Sequence, residues 1–81
     1  MRFVNIGFGN VVNIDKIVTV VSPDSAPIKR IAQISKSAST LVDATFGRKC
    51  KAVIITDSEY VVLSSLTPDT ITARIEEAKD E

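Results

Sequence analysis

At 81 residues and 8.8 kDa the chain has room for one small hydrophobic core and no second domain. With one Cys and no His it excludes an intrachain disulfide, a Cys/His zinc cluster and the Ser-His or Cys-His pairs of nucleophilic catalysis. The 10 cationic and 10 anionic side chains cancel, but they are segregated: Lys29, Arg30, Lys36, Arg48, Lys49 and Lys51 face only Asp43 in the middle of the chain, while acids dominate after Asp69.

Met1-Arg2-Phe3-Val4-Asn5 does not open a secretory leader, which needs a basic start and a longer apolar stretch. No apolar run approaches the length of a bilayer-spanning helix, so a cytoplasmic, reduced and soluble protein with no membrane partner is expected. Phe3 to Ile6 reads as a first strand, reversed by Gly7-Phe8-Gly9-Asn10, where glycine permits positive φ. Val11-Val12 and then Ile17 to Val21 are β-branched strand material. Ser22-Pro23-Asp24-Ser25 stops the strand, and Ser22 or Asp24 is the expected helix cap, with Pro27 in or near the first turn. Ile28, Ile31, Ala32 and Ala38 supply an apolar helical face, which the serines at 35, 37 and 39 weaken. Leu41 to Thr45 begins another strand, and Phe46 to Lys51 is a polar loop. Ala52 to Thr56 and Tyr60 to Ser64 read as a hairpin closed by Asp57-Ser58-Glu59. Thr67-Pro68-Asp69 repeats the stop-and-cap device before a narrow stripe of Ile71, Ile75 and Ala78; independent use of one cap explains the repetition better than duplication, because the flanks do not align.

The expected order is β-β-α-β-β-β-α, an α+β fold with a small, mostly antiparallel sheet and two short helices. The domain spans 1–78, and 79–81 form an acidic tail. Segments 17–21, 52–56 and 61–63 do not alternate apolar with polar, which predicts burial on both faces. Two small helices cover little more than one face, so a second copy of the chain is expected over the rest. A compact monomer with some exposed Val and Ile is the alternative.

Among chemical motifs, Gly7-Phe8-Gly9-Asn10-Val11-Val12 begins like a dinucleotide fingerprint but has Val12 where the third glycine belongs and leads into a strand. A tight hairpin fits better, with Phe8 as an interface anchor the lesser option. Asp43 lies within a strand, where Arg48 or a loop N–H would partner it. Cys50 sits between Lys49 and Lys51, whose charges should lower its pKa, yet it has no base beside it. No enzyme, cofactor, metal or small-molecule substrate is expected. The strongest signal is Gly47-Arg48-Lys49-Cys50-Lys51, three cations on a loop at the mouth of a buried strand, with Lys16 able to extend the patch. Arginine grips phosphate bidentately and lysine adds a point charge. A solvated loop is the plain alternative for a monomer, but assembly would repeat the patch and multiply its phosphate contacts. No helical row of Asn, Gln and Arg is present to read base edges, so phosphate and DNA shape are the expected contacts.

Phe3-Val4-Asn5-Ile6-Gly7-Phe8-Gly9-Asn10, then Ser22-Pro23-Asp24-Ser25-Ala26-Pro27-Ile28-Lys29-Arg30, then Asp43-Ala44-Thr45-Phe46-Gly47-Arg48 followed by Ala52-Val53, resemble the RemA-like family of bacterial regulators in register over about residues 1–68. That resemblance implies a double-stranded DNA-binding transcription regulator, typically of extracellular-matrix (biofilm) genes. It also implies closed homo-oligomeric rings, octameric by expectation, with DNA bent along the outer surface. The family's DNA-contacting positions are an Arg before the second strand and an Arg-Arg pair after the loop glycine. They match Lys16, Arg48 and Lys49, so charge is kept and two of the three bidentate groups are lost. The acidic stretch after Asp69 lies outside the resemblance. A scaffold or interaction module whose basic loops meet an acidic protein partner is the alternative function, and it differs in its response to salt and to long duplex DNA.

Overall fold

In the computed structural model, which describes residues 2–79, the chain opens with strands β1 (Phe3–Gly7) and β2 (Asn10–Asn13), paired antiparallel as a two-stranded sheet. The expected order has two strands before the first helix, and the structure has three. The Asn13 side chain accepts a hydrogen bond from the Asp15 N–H at 3.0 Å, which starts a 3-10 turn over Ile14–Lys16. The chain then re-enters as β3 (Ile17–Val21) in a separate four-stranded sheet, so the two β-branched runs serve two sheets. That sheet has the order β3-β5-β6-β4, built with β4 (Leu41–Asp43), β5 (Ala52–Thr56) and β6 (Val61–Ser64). The β3-β5 and β5-β6 pairs are antiparallel, and β4 joins β6 in parallel. The α+β class and the mostly antiparallel pairing agree with the sequence reading.

Helix α1 (Ala26–Ser37) is capped by Ser25, whose Oγ accepts from the Ile28 N–H at 3.4 Å. Ser22 and Asp24, the expected caps, bond to each other instead, with Ser22 Oγ donating to Asp24 at 3.1 Å. The difference is one residue of chain: Pro27 occupies the first turn, where its missing N–H is harmless, and that fixes the cap at Ser25. Helix α2 (Pro68–Lys79) starts on Thr67, whose Oγ1 accepts from the Thr70 N–H at 3.2 Å.

Strand alternation sorts the core. Ala52, Ile54 and Val62 share one face of the large sheet and cluster with Val4, Ile6 and Ile14 from the hairpin side and Ile71 from α2. Each fully buried Ile contributes about 1.5–3 kcal/mol of transfer free energy. Val53 and Val61 are buried on the opposite face. Most of the burial of β5 and β6 on both faces, expected to need a second copy, is therefore supplied inside one chain, while Ile55 and Leu63 stay half-buried. Strand β3 is different: it is an edge, and Val18 is 65% exposed.

Helix α1 also departs from its expected face. Ile28 and Ala32 are half-buried and Ser35 is buried, while Ile31, Ile34 and Ala38 are exposed. The 28–32–35 spacing turns inward, which leaves a second apolar stripe on the surface one position round the helix. Among the described residues no helix is long and apolar enough to cross a membrane.

Candidate nucleic-acid interface

The basic loop is shaped by the strand that precedes it. Asp43, the last residue of β4, accepts from the Thr45 N–H at 3.0 Å and from the Thr45 hydroxyl at 2.6 Å. Thr45 in turn accepts the Arg48 N–H on its carbonyl at 3.0 Å, closing the four-residue turn Thr45-Phe46-Gly47-Arg48. Both central residues have positive φ, +54° at Phe46 and +76° at Gly47, the pattern of a type I′ turn. The partner expected for Asp43 was Arg48 or a loop N–H; the loop N–H is the one used. These bonds hold the Asp43 carboxyl below its ordinary pKa, the Thr45 hydroxyl first and its N–H second.

A carboxyl depressed in the folded state adds stability that is complete above the ordinary carboxylate range and is lost as pH falls through the depressed value. Asp43→Ala is therefore expected to lower stability at neutral pH by about 1 kcal/mol, discounted because the group faces solvent. The difference between variant and parent should vanish in acid. Urea melts of both at neutral and strongly acidic pH check this, and a gap that persists in acid contradicts it.

A second turn of the same type faces the first. Phe8 and Gly9 connect β1 to β2 with φ of +54° and +78°, so in both turns a Phe stands at the first central position and a Gly at the second. Asparagine or glycine is usual at that first position, because a bulky side chain in the left-handed region costs roughly 1–2 kcal/mol. The two rings stack with centroids 5.1 Å apart and planes 21° from parallel. Ser64 brings the turns together. Its buried hydroxyl donates to the Ile6 carbonyl at 2.9 Å and accepts the Leu66 N–H at 3.1 Å, tying the hairpin to the end of β6.

Between the turns lies a surface cavity of about 330 Å³ lined by Phe8, Arg48, Lys49, Lys51 and Ser65. Thus Arg48, Lys49 and Lys51 converge on one recess. Among the described residues the single ion pair is Arg2 with Asp15 at 3.9 Å, so none of these three cations is ion-paired there. Lys16 does not join them. Its carbonyl accepts the Asp57 N–H at 2.9 Å, beyond the far end of β5, whereas Lys51 precedes the near end. Six strand steps of about 3.3 Å separate the two by roughly 20 Å within one chain.

Cys50 also departs from expectation. Its thiol pKa is raised, chiefly by burial, with the negative charges of Asp43 and Asp24 adding to the effect, although hydrogen bonds with Ala52 and Ser64 oppose it. Its Sγ donates to the Ala52 carbonyl at 3.3 Å, so the side chain turns towards the sheet and away from its lysine neighbours. No group of three or more His, Cys, Asp or Glu side chains suited to a metal ion occurs among the described residues. Sequence reasoning placed Phe46 in a polar loop and missed its stack on Phe8, which lines this recess. The repeated Phe-Gly dipeptide, once in the hairpin and once in the loop, is the signal that marks it.

A family model for RemA-like proteins, described as extracellular matrix regulatory protein A-like, matches residues 3–75. The chain belongs to the RemA-like family. The match runs past residue 68, where the recognisable pattern was expected to stop, and takes in most of α2. Similar proteins bear the name "Putative regulatory protein". The one from Brevibacillus brevis is 52% identical over 81 residues, covering 100% of this chain and 94% of the relative. That from Geobacillus thermodenitrificans is 57% identical over 75 residues, covering 93% of this chain and 86% of the relative. A third, from Geobacillus kaustophilus, is 56% identical with the same coverage. These names describe regulators, not enzymes.

Proposed function

We propose that this RemA-like protein is a double-stranded DNA-binding transcription regulator that acts as a closed ring of identical subunits and bends DNA through phosphate contacts. The observation that carries the reading is the recess where Arg48, Lys49 and Lys51 converge with no carboxylate among them. Arg48 is the bidentate phosphate ligand, and Lys49 and Lys51 are point charges that track the backbone. Control of extracellular-matrix genes is the reading that the family's description supports.

Ring assembly is supported by where apolar surface remains. Val18 lies on edge strand β3, while Val42 lies on β4 at the opposite edge, and Ile31 and Ile34 are exposed on α1, which contacts the sheet through β4. A two-fold dimer needs one self-complementary patch, whereas head-to-tail contact needs two different patches and closes into a ring when the rotation allows. In such a ring Lys16 adds to the cationic surface only where a neighbouring copy presents it. An octamer is the expected size.

The test is a mass measurement by light scattering, with and without a duplex several helical turns long, paired with binding titrations at rising salt. A mass several times 8.8 kDa and an affinity that falls steeply with salt are expected. A monomer at micromolar concentration, or no binding of long duplex at low salt, refutes the reading and favours a scaffold that meets an acidic protein.

A further inference from the structure

We propose that Phe46, braced by Phe8, is a wedge that enters DNA between two stacked base pairs while Arg48, Lys49 and Lys51 hold the flanking phosphates. The inference rests on the DNA-binding reading and adds to it an apolar contact that phosphate binding does not require.

Three observations point to it. Phe46 is 79% exposed and Phe8 is 51% exposed, yet their rings lie face to face, so one face of Phe46 is covered by Phe8 and the remainder is open to solvent. Both residues hold left-handed backbone at the one turn position where Asn or Gly would sit without strain. Strain of this kind persists where the surroundings over-determine it, and it concentrates at sites that bind. Phe46 also precedes Gly47 and Arg48 directly, and Phe8 lines the recess occupied by the three cations. A negatively charged polymer drawn onto those cations meets the aromatic pair at the same moment.

The chemistry fits duplex DNA better than a folded protein partner. An acidic protein surface would satisfy the cations but would take the ring only with an apolar pocket set beside its acids. A duplex offers both, since apolar side chains such as Phe and Leu enter between base steps and kink the helix where pyrimidine–purine steps unstack easily. Stacking of Phe8 behind Phe46 keeps the ring from folding back onto its own loop. A wedge held rigidly loses little conformational freedom on binding. Preference for flexible steps would then give sequence selectivity to a protein that lacks base-reading side chains.

The experiment uses the intact chain and a duplex several turns long, carrying 2-aminopurine at a central TA step, with bending read by energy transfer between the ends. Wild type should brighten the 2-aminopurine and shorten the end-to-end distance. Phe46→Asn is the decisive variant, because asparagine is the residue the turn prefers. It should fold at least as stably, keep its assembly mass and keep its salt dependence. It should nevertheless bind about tenfold more weakly and lose most of the bend. Phe46→Leu, still an apolar wedge, should restore much of both. Unchanged binding and bending in Phe46→Asn, or a silent 2-aminopurine with wild type, overturns the wedge but leaves the phosphate reading standing. An altered mass in Phe46→Asn makes the residue a subunit contact and overturns the wedge. Tighter binding of the single strand than of the duplex overturns it in favour of stacking on an unpaired base. Failure of wild type to bind any DNA sinks the wedge and the proposed function together.

Discussion

An Arg48→Ala/Lys49→Ala double variant should keep its fold and assembly mass yet lose at least about 100-fold in duplex affinity at moderate salt. Two charge-assisted phosphate contacts of roughly 1.5 kcal/mol each account for that factor in one subunit. Every further subunit engaged on the same duplex adds to it. Both side chains are exposed and neither has an ion-pair partner among the described residues, so their removal should change stability by less than about 0.5 kcal/mol. The slope of log affinity against log salt should fall by about two for each engaged subunit, since each lost cation no longer releases counterions. Arg48→Lys separates charge from geometry. If the guanidinium grips phosphate with two parallel bonds, that variant keeps the salt slope but binds several-fold more weakly. Equal binding by parent and double variant would remove the loop from the interface.

The parts of this architecture fixed by local chemistry were legible in the sequence. The Gly7-to-Asn10 reversal, the β5-β6 hairpin, the two helices and the cationic loop all follow from turn residues, β-branched runs and apolar spacing, and all are present. The break at Ile14–Lys16 was not legible, because it depends on one side-chain bond from Asn13. Which face of α1 turns inward was not legible either. Ile28-Ala32-Ser35 and Ile31-Ile34-Ala38 are both valid helical stripes, and the second is the more apolar. Tertiary packing chose the first, so the residues that look most core-like lie on the surface.

At the site the same division holds. Arg48, Lys49 and Lys51 are neighbours in the sequence, and their convergence is a property of the loop. Charge and the family resemblance both group Lys16 with them, and strand direction carries it to the other end of β5 within one chain. Cys50 was judged by its lysine neighbours. An alternating backbone sends adjacent side chains to opposite sides, and burial outweighs their charge. The Phe8–Phe46 stack joins residues distant in sequence, which no local rule pairs.

The hairpin that carries Phe8 is tied to the end of β6 by one buried hydroxyl, and Ser64→Ala is expected to show what that tie contributes. Ser64 is wholly buried in β6 and registers opposite Ala52, which is equally buried, so two small side chains let the hairpin backbone approach the sheet. The hydroxyl both donates to Ile6 and accepts from Leu66, and alanine fills almost the same volume without doing either. The variant therefore removes hydrogen bonds with little change in packing. A carbonyl and an N–H left without partners cost about 1–3 kcal/mol each, and partial relaxation brings the sum to roughly 2–4 kcal/mol. A domain of this size holds only about 4–12 kcal/mol in total, so from roughly a sixth of its stability upward is at stake. Thermal melting should fall by about 10–20 °C when parent and variant are compared at one protein concentration, which matters because assembly raises apparent stability. Ile6 lies just ahead of the Phe8 turn, so loosening it should also unsettle the stack. Under native conditions Ser64→Ala should weaken duplex binding, although it touches no DNA. A variant that melts within 2–3 °C of the parent would mean that the hairpin is held by apolar contact alone.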